Sequence, residues 1–168
     1  LFEALRLMKE SGQIEPGGFK LRFRAAVHDE LLQTLARQYG IEAFIETCPP
    51  IPYEQALQEM LRADALLVMQ AKGCNDQIPA KIYEYLRAGR PTICLSDPEG
   101  DTVGVLRQSG IHSEARLDSV DEISSRLPAF LDAVLTGTAE GPNAAYVRES
   151  SRRGRSRALA HLLNGVDR

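Results

Sequence analysis

The sequence has little of what a metal centre or a disulfide framework requires. It contains three cysteines, Cys48, Cys74 and Cys94, an odd number whose spacing does not resemble a metal-binding knuckle. None of its three histidines is spaced from another as metal ligands usually are. We therefore predict that the protein binds no metal, and this cysteine usage indicates a reducing compartment.

Common motifs of nucleotide and ester chemistry are missing as well. The absence of G-x-G-x-x-G and of G-x-x-x-x-G-K-[ST] argues against an ordinary dehydrogenase and against a P-loop NTPase. No serine lies in a G-x-S-x-G turn, so nothing indicates an α/β-hydrolase. A net charge of −3 without one dominant basic face argues against a nucleic-acid binder. No apolar run approaches the roughly 18 residues that a transmembrane helix requires.

What the sequence does have is a regular alternation of strand and helix patterns. Strands are predicted at 21–27, 41–47, 64–70, 92–96 and 111–117. Helices are predicted at 1–12, 28–40, 53–63, 79–89, 102–110, 119–137 and 144–164. Such alternation is typical of βαβ units, in which right-handed crossovers build a parallel sheet. We predict an α/β fold with a doubly wound, Rossmann-like parallel sheet and helices on both faces.

The apolar positions of these segments predict the core. The residues expected to be buried there are Val27, Leu66, Val68, Ile82, Leu86, Ile93 and Leu95. Amphipathic spacing also turns four residues of the helix at 53–63 inward, namely Ala56, Leu57, Met60 and Leu61. Ligands of such sheets bind beyond the carboxyl ends of the strands. The loops expected there are 26–29, 47–52, 71–78 and 96–101.

The start of the helix at 79–89 has the composition of an anion site. Pro79 suits the first helical position, but the preceding residue, Ile78, has no side-chain oxygen to cap the helix. The amides of Ala80 and Lys81 are therefore expected to lack an internal partner. Free amides at a helix start attract phosphate, and Lys81 adds a positive charge to them.

Glu84 lies one turn beyond Lys81 on the same flank of this helix. A carboxylate that accepts hydrogen bonds from two neighbouring hydroxyls is a usual way to hold a ribose. Amides with Lys81 for phosphates and Glu84 for ribose together suit a nucleotide. Two simpler interpretations remain open. Asn75 or Asp76 caps the amides, or Lys81 and Glu84 form only a surface ion pair.

The segment 75–110, NDQIPAKIYEYLRAGRPTICLSDPEGDTVGVLRQSG, resembles the carboxyl-terminal half of GT-B glycosyltransferases, most closely glycosyltransferase family 4. That family has a loop, a helix with a Glu, an Ala-Gly-x-Pro turn and then a strand. Here these are Glu84, the turn 88–91 and the strand TICLS. The family often has two acidic residues separated by seven, and this spacing falls on Asp76 and Glu84, so the first is Asp. The resemblance extends over about residues 1–165.

The resemblance implies roles for individual residues. Glu84 would bind the ribose of the donor nucleotide, and Asp76 would lie toward the transferred sugar as the candidate catalytic residue. The other residues expected to contact the donor are Gln77, Ile78, Pro79, Ala80, Lys81, Ile51 and Tyr53. For Tyr53, packing in the core is an equal alternative. The donor would be a nucleotide-sugar such as a UDP- or GDP-sugar, with no cofactor and no metal.

The implied protein is a retaining, hexosyltransferase-like enzyme of polysaccharide biosynthesis that transfers the sugar to a glycan or a lipid-linked acceptor. Residues 1–141 would form the sugar-nucleotide-binding domain without its first, central strand. Residues 142–168 would form a helix that packs on this domain or toward an amino-terminal acceptor domain. Because that acceptor domain would lie before Leu1, we expect these residues alone not to transfer sugar. The resemblance implies a cytoplasmic protein, and it leaves open a peripheral association with the inner face of the membrane.

Two other functions remain open on the sequence alone. The first is a non-catalytic Rossmann-like module that binds a nucleotide or a protein partner. The second is another sugar-nucleotide enzyme of the same architecture, such as an epimerase. An epimerase would require acidic or histidine catalytic groups in the loops at the sheet edge, and these groups are sparse here.

Overall fold

A computed structural model describes residues 1–166. Within this range, helices and strands alternate as predicted. The helices are α1 (Phe2–Glu10), α2 (Asp29–Gln38), α3 (Tyr53–Arg62), α4 (Lys81–Ala88), α5 (Asp101–Gln108), α6 (Val120–Thr136), α7 (Ala144–Ser150) and α8 (Arg152–Val166). The strands are β1 (Leu21–Arg24), β2 (Ile45–Cys48), β3 (Leu66–Met69), β4 (Thr92–Leu95) and β5 (Glu114–Ala115). The end of the predicted unit 142–168, at 167 and 168, lies outside the described residues.

All strand pairs of the described chain are parallel, and they form two small sheets. In the first sheet β1 pairs with β2, and Leu21 lies opposite Ile45. In the second sheet β4 lies between β3 and β5, with Leu66 opposite Thr92. The predicted α/β class with parallel strands is therefore confirmed, and it is compatible with a Rossmann-like fold.

One apolar core, the first core, extends across both sheets. Its buried members are Ala4, Leu5, Met8, Ile14, Ala36, Ile41, Phe44, Ile45, Ile93, Leu95, Ala115, Ile123, Leu127 and Phe130. Leu21 and Phe23 of β1 and Leu67 of β3 pack against it while partly buried. Because α1, α2 and α6 all contribute to this core, one layer of helices covers the same face of both sheets.

A second core covers the opposite face of the larger sheet. Val68 of β3 and Cys94 of β4 point into it, as the alternation of strand side chains requires. The buried residues that join them come from α4, α5 and the turn after α5: Ile82, Leu86, Val103, Val105, Leu106 and Ile111. Cys94 is a buried core residue, and this burial raises the pKa of its thiol to about 12. Helix α4 is thus held against the sheet, and Gly89, with φ 67°, ends it in a left-handed cap.

Six of the seven residues predicted to be buried in the core are buried, and Val27 is the exception. The strand predicted at 21–27 ends at Arg24, because Ala25 takes a left-handed conformation with φ 53°. Val27 then lies in the loop before α2 with 90% of its surface exposed.

The interior predicted for the helix at 53–63 is confirmed only in part. Ala56, Leu57 and Met60 are half-buried, no residue of α3 is fully buried, and Leu61 is 48% exposed. The reason is the surface that α3 covers. Its Glu59 carboxylate pairs with the guanidinium groups of Arg24 and Arg22, which point away from the first core. An amphipathic pattern therefore faces a charged side of β1 instead of an apolar one.

Three further segments differ from their predicted bounds. The strand predicted at 41–47 begins only at Ile45, after a 3-10 turn at Glu42–Phe44, and the strand at 111–117 pairs over Glu114–Ala115. The last predicted helix is two helices, separated at Ser151, whose ψ of 158° is extended. The Ser151 hydroxyl accepts the Gly154 N–H at 3.1 Å and so caps α8. No helix of the described residues has the length and hydropathy that a membrane span requires.

Candidate functional site

The loop between β3 and α4 is held in place by a buried glutamine. Gln70 directly follows β3 and is only 7% exposed. Its Nε2 donates to the carbonyls of Cys74, at 2.6 Å, and Gln77, at 2.8 Å. Both bonds tie the loop back to the carboxyl end of the strand. The loop therefore has a defined conformation where it enters α4.

The carbonyl of Gln77 determines how α4 begins. In a longer helix it would accept the N–H of Lys81, four residues on. Here it accepts from Gln70 and from the hydroxyl of Thr102 in α5, at 3.0 Å. The N–H groups of Ala80 and Lys81 donate to no acceptor within residues 1–166. The amides expected to be free are free in the described structure.

Neither of the two simpler interpretations of this helix start holds. The first turn of α4 receives no side-chain cap, so capping by Asn75 or Asp76 is wrong. The Asp76 side chain is exposed and makes no hydrogen bond or ion pair in the part of the chain that is described. Lys81 and Glu84 form no ion pair with each other within the same residues, so the pairing interpretation is wrong too.

Glu84 instead contacts a residue from a distant part of the sequence. The hydroxyl of Tyr53, the first residue of α3, donates to Glu84 Oε1 at 2.8 Å. Tyr53 is 63% exposed, so the alternative that it packs in the core is wrong. The contact places the side chain of Tyr53 beside α4. The second carboxylate oxygen of Glu84 accepts no hydrogen bond from the described residues.

The Glu84 carboxylate raises the pKa of Tyr53, since it accepts the phenol proton and repels the phenolate. We expect Glu84→Gln to lower this pKa toward the ordinary value of 10.0. The phenol titration can be followed by NMR of ring-labelled tyrosines, with Tyr53 assigned from a Tyr53→Phe variant. Tyr85 is the comparison, because burial is the main cause of its raised pKa and persists in the variant, while repulsion by Glu84 is the smaller cause. The pKa of Tyr85 should therefore fall less than that of Tyr53. A Tyr53 pKa that Glu84→Gln leaves unchanged would contradict the contact.

The other predicted donor-binding residues follow the same edge. Pro79 and Ile51 are half-buried, whereas Gln77, Ile78, Ala80 and Lys81 are exposed. Among residues 1–166, the hydrogen bond from Tyr53 to Glu84 is the only one between these two segments. Asp76 lies in the same loop as Gln77, but no side-chain contact within residues 1–166 fixes it toward Glu84.

Several polar residues of this edge were missed in the sequence. Ser96 directly follows β4 as Gln70 follows β3. The oxygens Ser96 Oγ and Gln70 Oε1 are buried without a hydrogen-bond partner among residues 1–166. Asp97 has a lowered pKa, chiefly because its carboxylate accepts the backbone N–H of Glu99 at 3.0 Å. The Lys72 ammonium lies 3.7 Å from the Asp97 carboxylate. The sequence could have indicated these residues by their position, because polar residues directly after buried strands lie at the carboxyl edge of the sheet.

The groups at this edge are suited to bind an anion and a diol. Free amides and the Lys81 ammonium can meet a phosphate, while the Glu84 carboxylate can accept from hydroxyls. Across residues 1–166, no group of three or more His, Cys, Asp or Glu side chains is arranged to hold a metal ion. No protein-family model matches the chain, and no curated protein matches it significantly.

Proposed function

We propose that this chain is the donor-nucleotide-binding half of a retaining glycosyltransferase with the doubly wound, Rossmann-like domain of the GT-B architecture. The observation that carries the proposal is the start of α4. Within the described residues, the amides of Ala80 and Lys81 have no acceptor and no side-chain cap, Lys81 adds a positive charge, and Glu84 lies one turn further along. The resemblance of segment 75–110 to glycosyltransferase family 4 points to the same helix.

The diphosphate of the donor is assigned to the segment Pro79–Lys81. The positive end of the helix dipole and the amides of Ala80 and Lys81 favour an anion there. The Lys81 side chain is exposed and is free of ion pairs within the described residues, so it can turn toward a phosphate oxygen at little cost. Gln70 and Thr102 support this role indirectly, because they occupy the carbonyl that would otherwise take the Lys81 amide.

The ribose is assigned to Glu84. The carboxylate has one oxygen bonded to the Tyr53 hydroxyl and one oxygen unused by the described residues. The two vicinal hydroxyls of the ribose would donate to these oxygens. Tyr53 would lie beside them, either as a hydrogen-bond donor or with its ring against the base. Ile51 and Tyr53 then border the base, and Gln77 and Ile78 border the diphosphate.

The transferred sugar and its acceptor extend the proposal. Asp76 is placed toward the sugar as the candidate catalytic residue, and a separate amino-terminal domain supplies the glycan or lipid-linked acceptor. A non-catalytic nucleotide-binding module is the second candidate. It is favoured by one observation, that no described side chain fixes Asp76. Sugar transfer that depends on Asp76 in a protein carrying the acceptor domain would separate these two functions.

The proposal is tested by replacing Lys81 with alanine and titrating the protein calorimetrically with UDP, GDP and ADP and with the matching nucleosides. One exposed charge near a phosphate contributes about 1 kcal/mol in water. We therefore expect about a fivefold loss of affinity for the preferred diphosphate and little change for its nucleoside. Lys20→Ala is the matched control, because Lys20 is exposed before the amino end of β1, whereas Lys81 follows the carboxyl end of β3.

Equal losses for diphosphate and nucleoside would remove Lys81 from the phosphate site. Equal losses of diphosphate affinity in Lys20→Ala and Lys81→Ala would show that the effect arises from the overall charge of the protein and not from a site at Lys81. If no nucleotide binds to the unaltered protein, the proposed function itself is wrong.

A further inference from the structure

Helix α8 begins with an excess of positive charge. Its first turns contain Arg152, Arg153, Arg155 and Arg157, and its first turn has no acidic residue. The positive end of a helix dipole disfavours cations, so these arginines do not stabilise the helix by themselves. None of the four guanidinium groups forms an ion pair within the described residues. Such a helix start is suited to a ligand that accepts hydrogen bonds.

The chain path brings the start of α8 back over α4. The extended Ser151 separates α7 from α8, and Gly154 lies where the two helices approach each other. A Cβ atom at Gly154 would lie 2.2 Å from the carbonyl oxygen of Glu149, so any side chain there would force the helices apart. With glycine in place, the guanidinium carbon of Arg155 lies 4.4 Å from the centre of the Tyr83 ring in α4. Arg155 also donates to the Tyr83 hydroxyl, so two contacts hold α8 on α4.

These contacts place a second arginine of α8 beside the candidate site. Arg152 lies one turn before Arg155 and about 60° from it around the helix. Tyr83 directly precedes Glu84, whose carboxylate accepts the Tyr53 hydroxyl. That carboxylate raises the pKa of Tyr53, and the positive charge of Arg152 lowers it to a smaller extent. Arg152 therefore faces the part of α4 where Glu84 and Tyr53 meet.

Arg87 adds a further cation from α4 itself. It is exposed, lies one turn beyond Glu84, and its charge also lowers the pKa of Tyr53. Along α4, Lys81, Glu84 and Arg87 thus follow one another at intervals of one turn. The diphosphate, ribose and base of a nucleotide follow one another in the same order. With the diphosphate at Lys81 and the ribose at Glu84, the base reaches the level of Arg87 and Arg152.

We propose that Arg152, with Arg87 beside it, forms the base subsite of the candidate site and selects a guanine nucleotide. A guanidinium group has only donors, so it can bind the carbonyl oxygens and ring nitrogens of a base but not its exocyclic amines. Guanine presents O6 and N7 side by side, which matches two parallel donors of one arginine. Adenine presents an amine beside its N7, and uracil has no second acceptor beside its O4. This inference rests on the proposed function and adds the base to it.

The test is calorimetric titration of the unaltered chain, Arg152→Ala and Arg152→Lys with GDP, UDP and ADP. One bidentate pair distinguishes the right base from a wrong one by about fivefold to over a hundredfold. The unaltered chain should prefer GDP to ADP by this factor. Arg152→Ala should lose most of the preference, because it weakens GDP binding far more than ADP binding. Arg152→Lys should lose it as well, since an ammonium keeps the charge but not the planar pair of donors.

Arg157→Ala is the matched control. Arg157 is an exposed arginine of the same helix, and it lies about 160° around α8 from Arg155, on the side away from α4. The substitution removes the same charge and should leave the ratio of GDP to ADP affinity unchanged. Arg152 is exposed too, so none of these variants disturbs the core.

Equal affinities for the three nucleotides in the unaltered chain, or a preference for UDP or ADP, would overturn the guanine assignment and leave the proposed function standing. A GDP preference that Arg152→Lys retains would overturn it as well, because Arg152 would then act through its charge alone. If none of the three nucleotides binds, the proposed function is wrong and this inference fails with it.

Discussion

Replacing Leu5 with alanine is expected to lower the free energy of unfolding by about 2–5 kcal/mol, because it opens a cavity in the first core. Leu5 is fully buried on α1, and α1 packs against α6 over the shared face of both sheets. Little of the surrounding structure can move in to fill the space. The change is measured by urea unfolding, with the slope used to check that the denatured state is unaffected.

Leu61→Ala is the control for this measurement. It removes the same atoms from a helix residue that is 48% exposed, so it should cost less than about 1 kcal/mol. The pair also tests the corrected orientation of α3, since the sequence pattern predicted Leu61 inside. Similar losses at the two positions would show that α3 buries its apolar side.

The sequence was sufficient to predict which residues are buried where the apolar pattern of an element reflects packing of a helix on a sheet. The burial predicted for Leu66 and Val68 in β3 and for Ile82 and Leu86 in α4 is confirmed. Helix α3 shows why a predicted interior was confirmed only in part. Its stripe is as regular as that of α4, but β1 presents Arg22 and Arg24 to it. The periodicity of a helical sequence shows which side of the helix is apolar. It does not show which surface of the fold that side will contact.

Glu84→Gln is expected to weaken binding of the preferred nucleoside diphosphate by roughly tenfold to a hundredfold. The amide keeps the shape of the side chain and can still accept the Tyr53 hydroxyl, so the local fold is retained. It replaces a charged acceptor of two ribose hydroxyls with a neutral one. Loss of a charge-assisted hydrogen bond costs about 1.5–3 kcal/mol, which corresponds to this range of affinity.

Glu42→Gln is the matched control, because Glu42 is an exposed carboxylate in the 3-10 turn at the amino end of β2. It should change neither the affinity nor the melting temperature. The melting temperature of Glu84→Gln should also stay within about one degree of the unaltered protein, since Glu84 forms no ion pair within the described residues. Undiminished nucleotide affinity in Glu84→Gln, with the same melting temperature, would remove Glu84 from the site.

The candidate site was predictable where it depends on local chain chemistry. A proline followed by uncapped amides and Lys81 can be read directly, and the described structure leaves those amides free. The reason for their freedom was not predictable. Gln70 and Thr102 are distant in sequence, but both donate hydrogen bonds to the carbonyl of Gln77, which would otherwise accept the Lys81 amide. The contact of Tyr53 with Glu84 depends in the same way on how α3 and α4 lie beside each other.

The most direct test of the central claim is to map nucleotide binding by NMR on the isotopically labelled chain, with UDP, GDP and ADP added in turn. The account predicts that at least one of them shifts the amide signals of Ala80 and Lys81 and the ring signals of Tyr53. Those shifts should saturate together, and the bare nucleoside should shift Tyr53 more than Ala80. No shift with any of the three, or shifts confined to the amino ends of the strands near Lys20 and Glu42, would contradict it.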